Sequence, residues 1–263
     1  MPEGPECHYA ARRLEKALQG KAITKFEIQG GRYEKHGPFD GHVELQKHIA
    51  SGSHAVKAVG CRGKLIVIFF DNDWCILSTL GLKGSWTTRY AKHCDISLVI
   101  DRVTNLWFKD QMHYGTLKYV TIDEAKEKIL SLGPDVTVND PAFTYSYLCG
   151  LLSRYKQWDL AKLLMDQGKI SGIGNYLKAE ILYEAKIAPM MLCGSVPPDK
   201  CSKLYDAICD IPCKYFQKHL GNGNIRLNVY GRKKDRLGHN VERCKTKDGR
   251  TSHWVPSIQC NHI

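Results

Sequence analysis

The chain has 263 residues, of which 43% are hydrophobic and 25% charged, a composition that excludes a disordered or collagen-like chain. Its formal net charge of +11 favours a polyanionic partner. Its longest apolar run, Leu65 to Phe70, has six residues where a membrane span needs about 20, and no basic leader or apolar signal region is present. We therefore expect one large domain or two modest ones, in a protein that is neither secreted nor inserted in a membrane.

The predicted elements begin with a helix. Pro5 suits its first turn, apolar residues recur at helical spacing from Cys7 to Leu18, and Gly20 ends the pattern. From Ala22 to Val120 short strands separated by turn residues predict a sandwich of mostly antiparallel strands. The predicted strands are Ile23–Ile28, Leu65–Phe70, Trp74–Ser78, Ile96–Ile100, Leu106–Phe108 and Thr116–Val120.

The second half of the sequence is predicted to be mainly helical. Thr121 and Glu124 have the spacing of a capping box, which predicts a helix to about Leu132. The further predicted helices cover about Tyr145–Ser153, Leu160–Asp166, Asn175–Ala185 and Asp199–Cys209. The predicted division is an N-terminal domain over residues 1–133, a linker over 134–150 and a C-terminal domain over 151–263.

The positive charge is concentrated near the end of the chain. Between Gly221 and Arg250 there are nine Lys or Arg residues and three Asp or Glu residues. A solvated basic tail is the simplest interpretation, but Tyr230, Val241 and Trp254 within and beside the segment indicate that it folds. We therefore favour a folded β element that faces nucleic acid.

The eleven cysteines are scattered and odd in number, which is typical of reduced thiols in a cytosolic or nuclear protein. A zinc site formed by His239, Cys244, His253 and Cys260 is conceivable, but its spacing fits no structural zinc pattern. We expect neither a metal nor a cofactor.

A glycine-rich connection lies between two of the predicted helices. Gly172 and Gly174 leave peptide N–H groups uncovered before a helix N-terminus, and Asn175 adds a side-chain donor. Such an arrangement binds anions, although an ordinary helix–turn–helix connection has the same pattern. Together with the positive charge, it favours a DNA phosphate as the ligand.

The N-terminal pair Pro2-Glu3 could carry covalent chemistry. If Met1 is removed, Pro2 has a free secondary amine; at pH 7 a generic α-amine of pKa about 8 is roughly 10% free base, against roughly 0.04% for lysine. An iminium formed on it keeps its positive charge, and Glu3 is placed to move protons. The alternative is that Pro-Glu-Gly-Pro only begins the first helix, and the residues alone favour that alternative.

Three segments together resemble one known family. Pro2 to Glu6 is similar to the start of the Fpg/Nei DNA glycosylases, that is, formamidopyrimidine-DNA glycosylase and endonuclease VIII. Leu164 to Leu182 resembles their helix–two-turn–helix motif. Gly249 to Gln259 resembles the zincless finger of the vertebrate endonuclease VIII-like 1, plant, fungal and some giant-virus members.

The resemblance implies an α+β protein of two domains. The first would hold the N-terminal helix and an antiparallel β-sandwich, and the second would be helical with a zincless β-hairpin finger over about 225–263. It also implies a monomeric, nuclear or otherwise DNA-associated, bifunctional enzyme of base excision repair. The enzyme would remove oxidised bases, mainly pyrimidines, hydantoins and formamidopyrimidines, from double-stranded DNA and also from single strands. It would then cleave the abasic site by β,δ-elimination.

The resemblance also assigns roles to individual residues. Pro2 would be the Schiff-base nucleophile and Glu3 the general acid/base, with Glu6 and Lys64 as further catalytic residues. The residues implied to bind DNA are Lys64, Gly172, Gly174, Asn175 and Arg250. Two rival interpretations are a catalytically silent DNA-binding protein on the same scaffold and a ribosomal or topoisomerase-type helix–two-turn–helix module, and the latter leaves the Pro-Glu start unexplained.

The side chains that would fill the space of an extruded base depart from the family pattern. Here they are Leu82, Met112 and Tyr114, where the family usually has Met, Arg and Phe. Because Met112 replaces the arginine that would contact the unpaired base, we expect little discrimination between bases opposite the lesion.

Overall fold

The computed structural model describes residues 2–52 and 54–259. These residues form two compact units, and neither contains a described helix that is both long and apolar enough to cross a membrane. Unit 1 contains Pro2 and Glu6–Ser131, and unit 2 contains Glu3–Pro5 and the described residues from Leu132 onward.

Unit 1 is built on two four-stranded antiparallel sheets. Its strands are β1 (Ile23–Ile28), β2 (Val56–Arg62), β3 (Leu65–Phe70), β4 (Trp74–Thr79), β5 (Gly84–Thr87), β6 (Cys94–Ile100), β7 (Thr104–Asp110) and β8 (Thr116–Thr121). One sheet has the order β1-β6-β7-β5 and the other β2-β3-β4-β8. Buried residues of both sheets belong to one hydrophobic core, so the predicted antiparallel sandwich is confirmed.

Helix α1 (Gly4–Leu18) contributes its apolar face to the same core. Cys7 and Leu18 are the first and last of the buried residues at the helical spacing that the sequence shows. The structure adds α2 (Gly31–Lys35) and α3 (His42–Ser51), which the sequence analysis did not predict. Helix α3 buries a single residue, Leu45, so it lacks the apolar periodicity from which helices are predicted.

Helix α4 (Ile122–Leu130) closes unit 1, and the capping box predicted at its start is present. The Thr121 hydroxyl accepts from the Glu124 N–H, and the Glu124 carboxylate accepts from the Thr121 N–H.

Unit 2 consists of helices and a β-hairpin. In chain order these elements are α5 (Tyr145–Arg154), α6 (Leu160–Met165), α7 (Asn175–Glu184), α8 (Pro198–Leu220), β9 (Glu242–Lys245), β10 (Thr251–Trp254) and α9 (Pro256–Gln259). Helix α8 continues well past Cys209, the predicted end, with Pro212 in its interior. The two-domain α+β fold class is thus confirmed.

The structure differs from the linker predicted over 134–150. Val136, Phe143 and Leu148 are buried in the core of unit 2, and α5 begins at Tyr145. The polar residues that suggested a linker lie in turns between these buried residues. For example, the Asp140 carboxylate accepts from the backbone N–H groups of residues 135 and 142.

Helix α7 lies at the centre of unit 2, and its residues from Asn175 to Leu182 are all buried. A helix buried on every side needs partners for each of its polar side chains. The buried polar side chains of α7 include Asn175, Lys178 and Glu180, and Asn175 belongs to the candidate site.

Candidate functional site

The carboxylate of Glu3 caps the N-terminus of helix α7. Glu3 is fully buried and accepts hydrogen bonds from the backbone N–H groups of Gly174 (2.7 Å), Tyr176 (2.8 Å) and Leu177 (3.1 Å). These are donors that the first turn of a helix leaves without intrahelical partners, and the helix dipole adds a positive potential there. The position of Glu3 is therefore fixed within unit 2.

This contact corrects the prediction that Gly172 and Gly174 present their amides to a DNA phosphate. The anion bound at the start of α7 is the Glu3 carboxylate. The Gly172 N–H donates instead to Gln167 Oε1 over 3.1 Å. Both glycine amides are therefore occupied within the protein. Their importance is steric, since a Cβ added at Gly174 would overlap the Glu3 carboxyl group.

Asn175 and Arg250 lie close together in unit 2. The finger turn, defined here as residues 246–250, connects β9 to β10 and exposes Arg250. Asn175 Nδ2 donates to the carbonyl oxygen of Thr251, the next residue, over 3.1 Å. Asn175 is 8% exposed, and its Oδ1 has no hydrogen-bond partner. Two of the predicted phosphate-binding side chains thus lie on adjoining segments.

Pro2 and Glu6 line a common cavity in unit 1. Its volume is about 270 Å³, and both residues are half-buried. The other lining residues include Tyr9 and Arg13 of α1 and Trp86 of β5. The predicted nucleophile and the predicted assisting carboxylate are therefore brought together. Lys64, also half-buried, lies between β2 and β3 in the same unit.

The residues predicted to fill the space of an extruded base come from two loops that touch. A Cβ added at Gly81 would lie 2.6 Å from the backbone nitrogen of Gly115, so the loop that carries Leu82 packs against the loop after β7. Met112 is 42% and Tyr114 59% exposed, while Leu82 is half-buried. This places three apolar side chains on neighbouring loops of unit 1.

Sequence reasoning missed the side chain that organises the second of these loops. Asp110 is buried, and its carboxylate accepts from the N–H groups of Met112 and Gly115. His113, in the same loop, is held by a hydrogen bond between its Nδ1 and Asp95 Oδ2 over 2.9 Å. Burial raises the pKa of Asp95, whereas His113 opposes that shift. An aspartate at the start of a loop is the available turn signal, because its carboxylate can accept from the N–H two residues on, as Asp110 does from Met112.

The candidate zinc ligands do not form a site in the part of the chain that the structure describes. His239 Nδ1 bonds to Asp235 Oδ2 over 2.9 Å, and no group of three potential ligands is found among the described residues. Cys260 lies outside them.

Comparison with known proteins places the whole chain in one family. The model of the formamidopyrimidine-DNA glycosylase N-terminal domain matches residues 1–117, and the model of the H2TH domain of the same enzyme matches residues 132–219. A formamidopyrimidine-DNA glycosylase of Xanthomonas campestris is 32% identical over 98% of this chain and all of its own. This chain belongs to the Fpg/Nei family.

Other relatives of the family carry both of its names. An endonuclease 8 of Pectobacterium atrosepticum is 27% identical over 98% of this chain and all of its own. Formamidopyrimidine DNA glycosylase of Lactococcus lactis, solved non-covalently bound to DNA that contains an AP site, has a TM-score of 0.85 at 23% identity, covering 98% of this chain and 100% of its own. The predicted enzyme class, DNA glycosylase and DNA-(apurinic or apyrimidinic site) lyase, is confirmed by this membership.

Proposed function

We propose that the protein removes oxidised bases from DNA and then cleaves the abasic site through a Schiff base at Pro2. Its substrates would be mainly oxidised pyrimidines, hydantoins and formamidopyrimidines, and its place of action nuclear or otherwise on DNA. The observation that carries the proposal is the buried Glu3 carboxylate, bound by three backbone amides, because it fixes the residue next to a proline amine. Borohydride trapping of the protein on abasic DNA is the test.

The proposed reaction begins at the nitrogen of Pro2 after removal of Met1. Its lone pair forms a bond to C1′ of the damaged nucleotide, the nitrogen gives up its proton, and the base leaves with the electrons of the glycosidic bond and takes up a proton. The C1′–O4′ bond then breaks, O4′ takes up a proton, and the nitrogen becomes an iminium. This cation acidifies the proton at C2′, whose loss expels the 3′ phosphate; a second elimination expels the 5′ phosphate. Water finally hydrolyses the imine and frees Pro2.

Glu3 and Glu6 would divide the proton transfers. Hydrogen bonds from the three amides favour the ionised carboxylate of Glu3, which in this scheme accepts the proton released by the Pro2 nitrogen and then donates it to O4′. Glu6 shares the cavity with Pro2 and is placed to assist.

DNA would be held through phosphates by Lys64, Asn175 and Arg250. In support of this, Arg250 is exposed beside Asn175, and the Lactococcus lactis relative was solved with AP-site DNA. Asn175 uses one N–H for Thr251 and retains a second donor, since a side-chain amide has two.

Salt dependence of binding tests these phosphate contacts. We expect Lys64→Ala and Arg250→Ala each to flatten the slope of log K against log salt concentration by about 0.9, because each removes one phosphate contact of a cation. Asn175→Ala removes a neutral donor, so affinity should fall while the slope is nearly unchanged. Fluorescence anisotropy on duplex DNA over a salt series measures both quantities. Wild-type slopes in both charge variants would remove these residues from the phosphate contacts.

The identity of the base opposite the lesion is expected to matter little. Extruding a nucleotide costs a few kcal/mol, and least when it is unpaired. Met112 fills volume but cannot donate a hydrogen bond, so excision rates opposite all four bases should be nearly equal and single strands should be good substrates. Met112→Arg is the matched comparison and should introduce discrimination. Strong discrimination by the wild type that persists in this variant would show that the unpaired base is contacted elsewhere.

A further inference from the structure

A buried ion pair connects the finger turn to helix α7. Lys178 Nζ lies 2.6 Å from Asp248 Oδ2, and the two side chains are 0% and 3% exposed. Burial lowers the pKa of Lys178, while the hydrogen bond to Asp248 opposes this shift. A charge in such a place is tolerated only with its partner, so each side chain fixes the position of the other.

The same aspartate also holds the backbone of the finger turn. Asp248 Oδ1 accepts from the Thr246 hydroxyl over 2.5 Å and from the Arg250 N–H over 3.2 Å. One carboxylate therefore joins α7 directly to the main chain of Arg250.

Two further hydrogen bonds hold the segment on either side of Arg250. Asn175 Nδ2 donates to the Thr251 carbonyl, and the Lys247 N–H donates to Asp159 Oδ2 over 2.9 Å. Asn175 and Lys178 are three residues apart on α7, so they lie on the same face of the helix. The finger turn is thus held at residues 247 and 248 and at Thr251, the residue that follows it, while the Arg250 side chain remains exposed.

We propose that Lys178, acting through Asp248, is a positioning residue that sets where the Arg250 guanidinium meets a DNA phosphate. The inference rests on the proposed function, in which Arg250 and Asn175 bind phosphates. Lys178 is fully buried and makes no phosphate contact itself. Any change that its loss causes in ionic contacts with DNA must therefore pass through the finger turn.

The test measures the salt dependence of binding to a duplex with a tetrahydrofuran abasic analogue. Lys178→Met should flatten the log–log slope by about 0.9, the same change as Arg250→Ala, although no surface charge is removed. Combining K178M with R250A should give no further flattening, because both substitutions remove the same contact. A salt slope reports ionic contacts, so a purely structural role for Lys178 would lower the Tm and leave the slope unchanged.

Two further variants guard against misfolding and against a simple charge effect. K178M leaves the Asp248 carboxylate buried without its cation, whereas K178M/D248N removes both charges, so the double variant should fold while still losing the link between α7 and the turn. Lys126→Met is the charge control: it removes one cation of an exposed pair with Asp123 in α4 and should keep the wild-type slope and Tm.

The outcomes separate this proposal from the proposed function. A wild-type slope in folded K178M/D248N, or flattening by K178M that adds to that of R250A, would overturn the positioning role. An unchanged slope in R250A would overturn it as well, since Arg250 would then make no ionic contact. Failure of the wild type to trap abasic DNA would instead contradict the catalytic proposal, and the slope comparison, which requires only binding, would still decide the role of Lys178.

Discussion

Sodium borohydride should trap wild-type protein on abasic DNA, and protein that retains Met1 should lose this product. A hydride reduces the iminium between Pro2 and C1′ to a stable amine, whereas a Pro2 nitrogen acylated by Met1 is an amide without a nucleophilic lone pair. Pro2→Gly should also lose most trapping. The primary amine of glycine forms an imine that can lose its nitrogen proton and become neutral, and the glycine backbone is less constrained than that of proline. Denaturing gel electrophoresis of the covalent complex measures the yield.

The N-terminal residue of each preparation has to be determined by sequencing or mass spectrometry, since the comparison depends on it. Lys64→Ala tests a lysine nucleophile: it should trap nothing if Lys64 forms the covalent bond, and it should still form the covalent complex at saturating DNA if Pro2 does. Efficient trapping by protein that retains Met1 would exclude Pro2 as the nucleophile and indicate a lysine. Absence of trapping by processed wild-type protein would favour a DNA-binding protein without lyase activity.

Local patterns in the sequence predicted much of the fold. The first helix, the strands Ile23–Ile28 and Leu65–Phe70 and the Thr121 capping box are encoded by neighbouring residues, and the structure contains them with the predicted bounds or nearly so. Strand β2 was missed because Lys57 and Gly60 interrupt its apolar pattern. Helix α3 was missed because its stability comes from packing against β1 and β8 rather than from an apolar stripe.

The candidate site was predictable in its parts but not in its connections. Glycines before a helix predict an anion site, but the choice between a ligand phosphate and Glu3, 171 residues away from Gly174, depends on tertiary contacts. The ion pair of Lys178 and Asp248 spans 70 residues and has no signal in either local sequence. Such pairings are decided when α7 is buried, because burial obliges each polar side chain to find a partner.

Glu3→Gln is expected to lose base excision more severely than cleavage of a preformed abasic site. Excision needs a proton at O4′ as the glycosidic bond and the sugar ring open, and a positioned acid/base group contributes roughly 10²–10⁴-fold to such a step. An abasic aldehyde no longer requires that step. The glutamine keeps the volume of Glu3 and one acceptor oxygen, so part of the binding to the amides of α7 should remain. Single-turnover rates on lesion-containing and preformed abasic duplexes measure the two losses.

Gly174→Ala separates the position of Glu3 from its proton transfer. The added Cβ would overlap the Glu3 carboxyl group, so this variant displaces an ionisable Glu3 and with it the neighbouring Pro2. Both activities should then fall together, because both require the Pro2 nitrogen at C1′. In Glu3→Gln the nitrogen stays closer to its place, and the loss should concentrate in excision. Equal loss of both activities in Glu3→Gln, as expected for Gly174→Ala, would mean that Glu3 only holds Pro2 in position. Another group would then supply the proton, and Glu6, which lines the same cavity as Pro2, is the candidate.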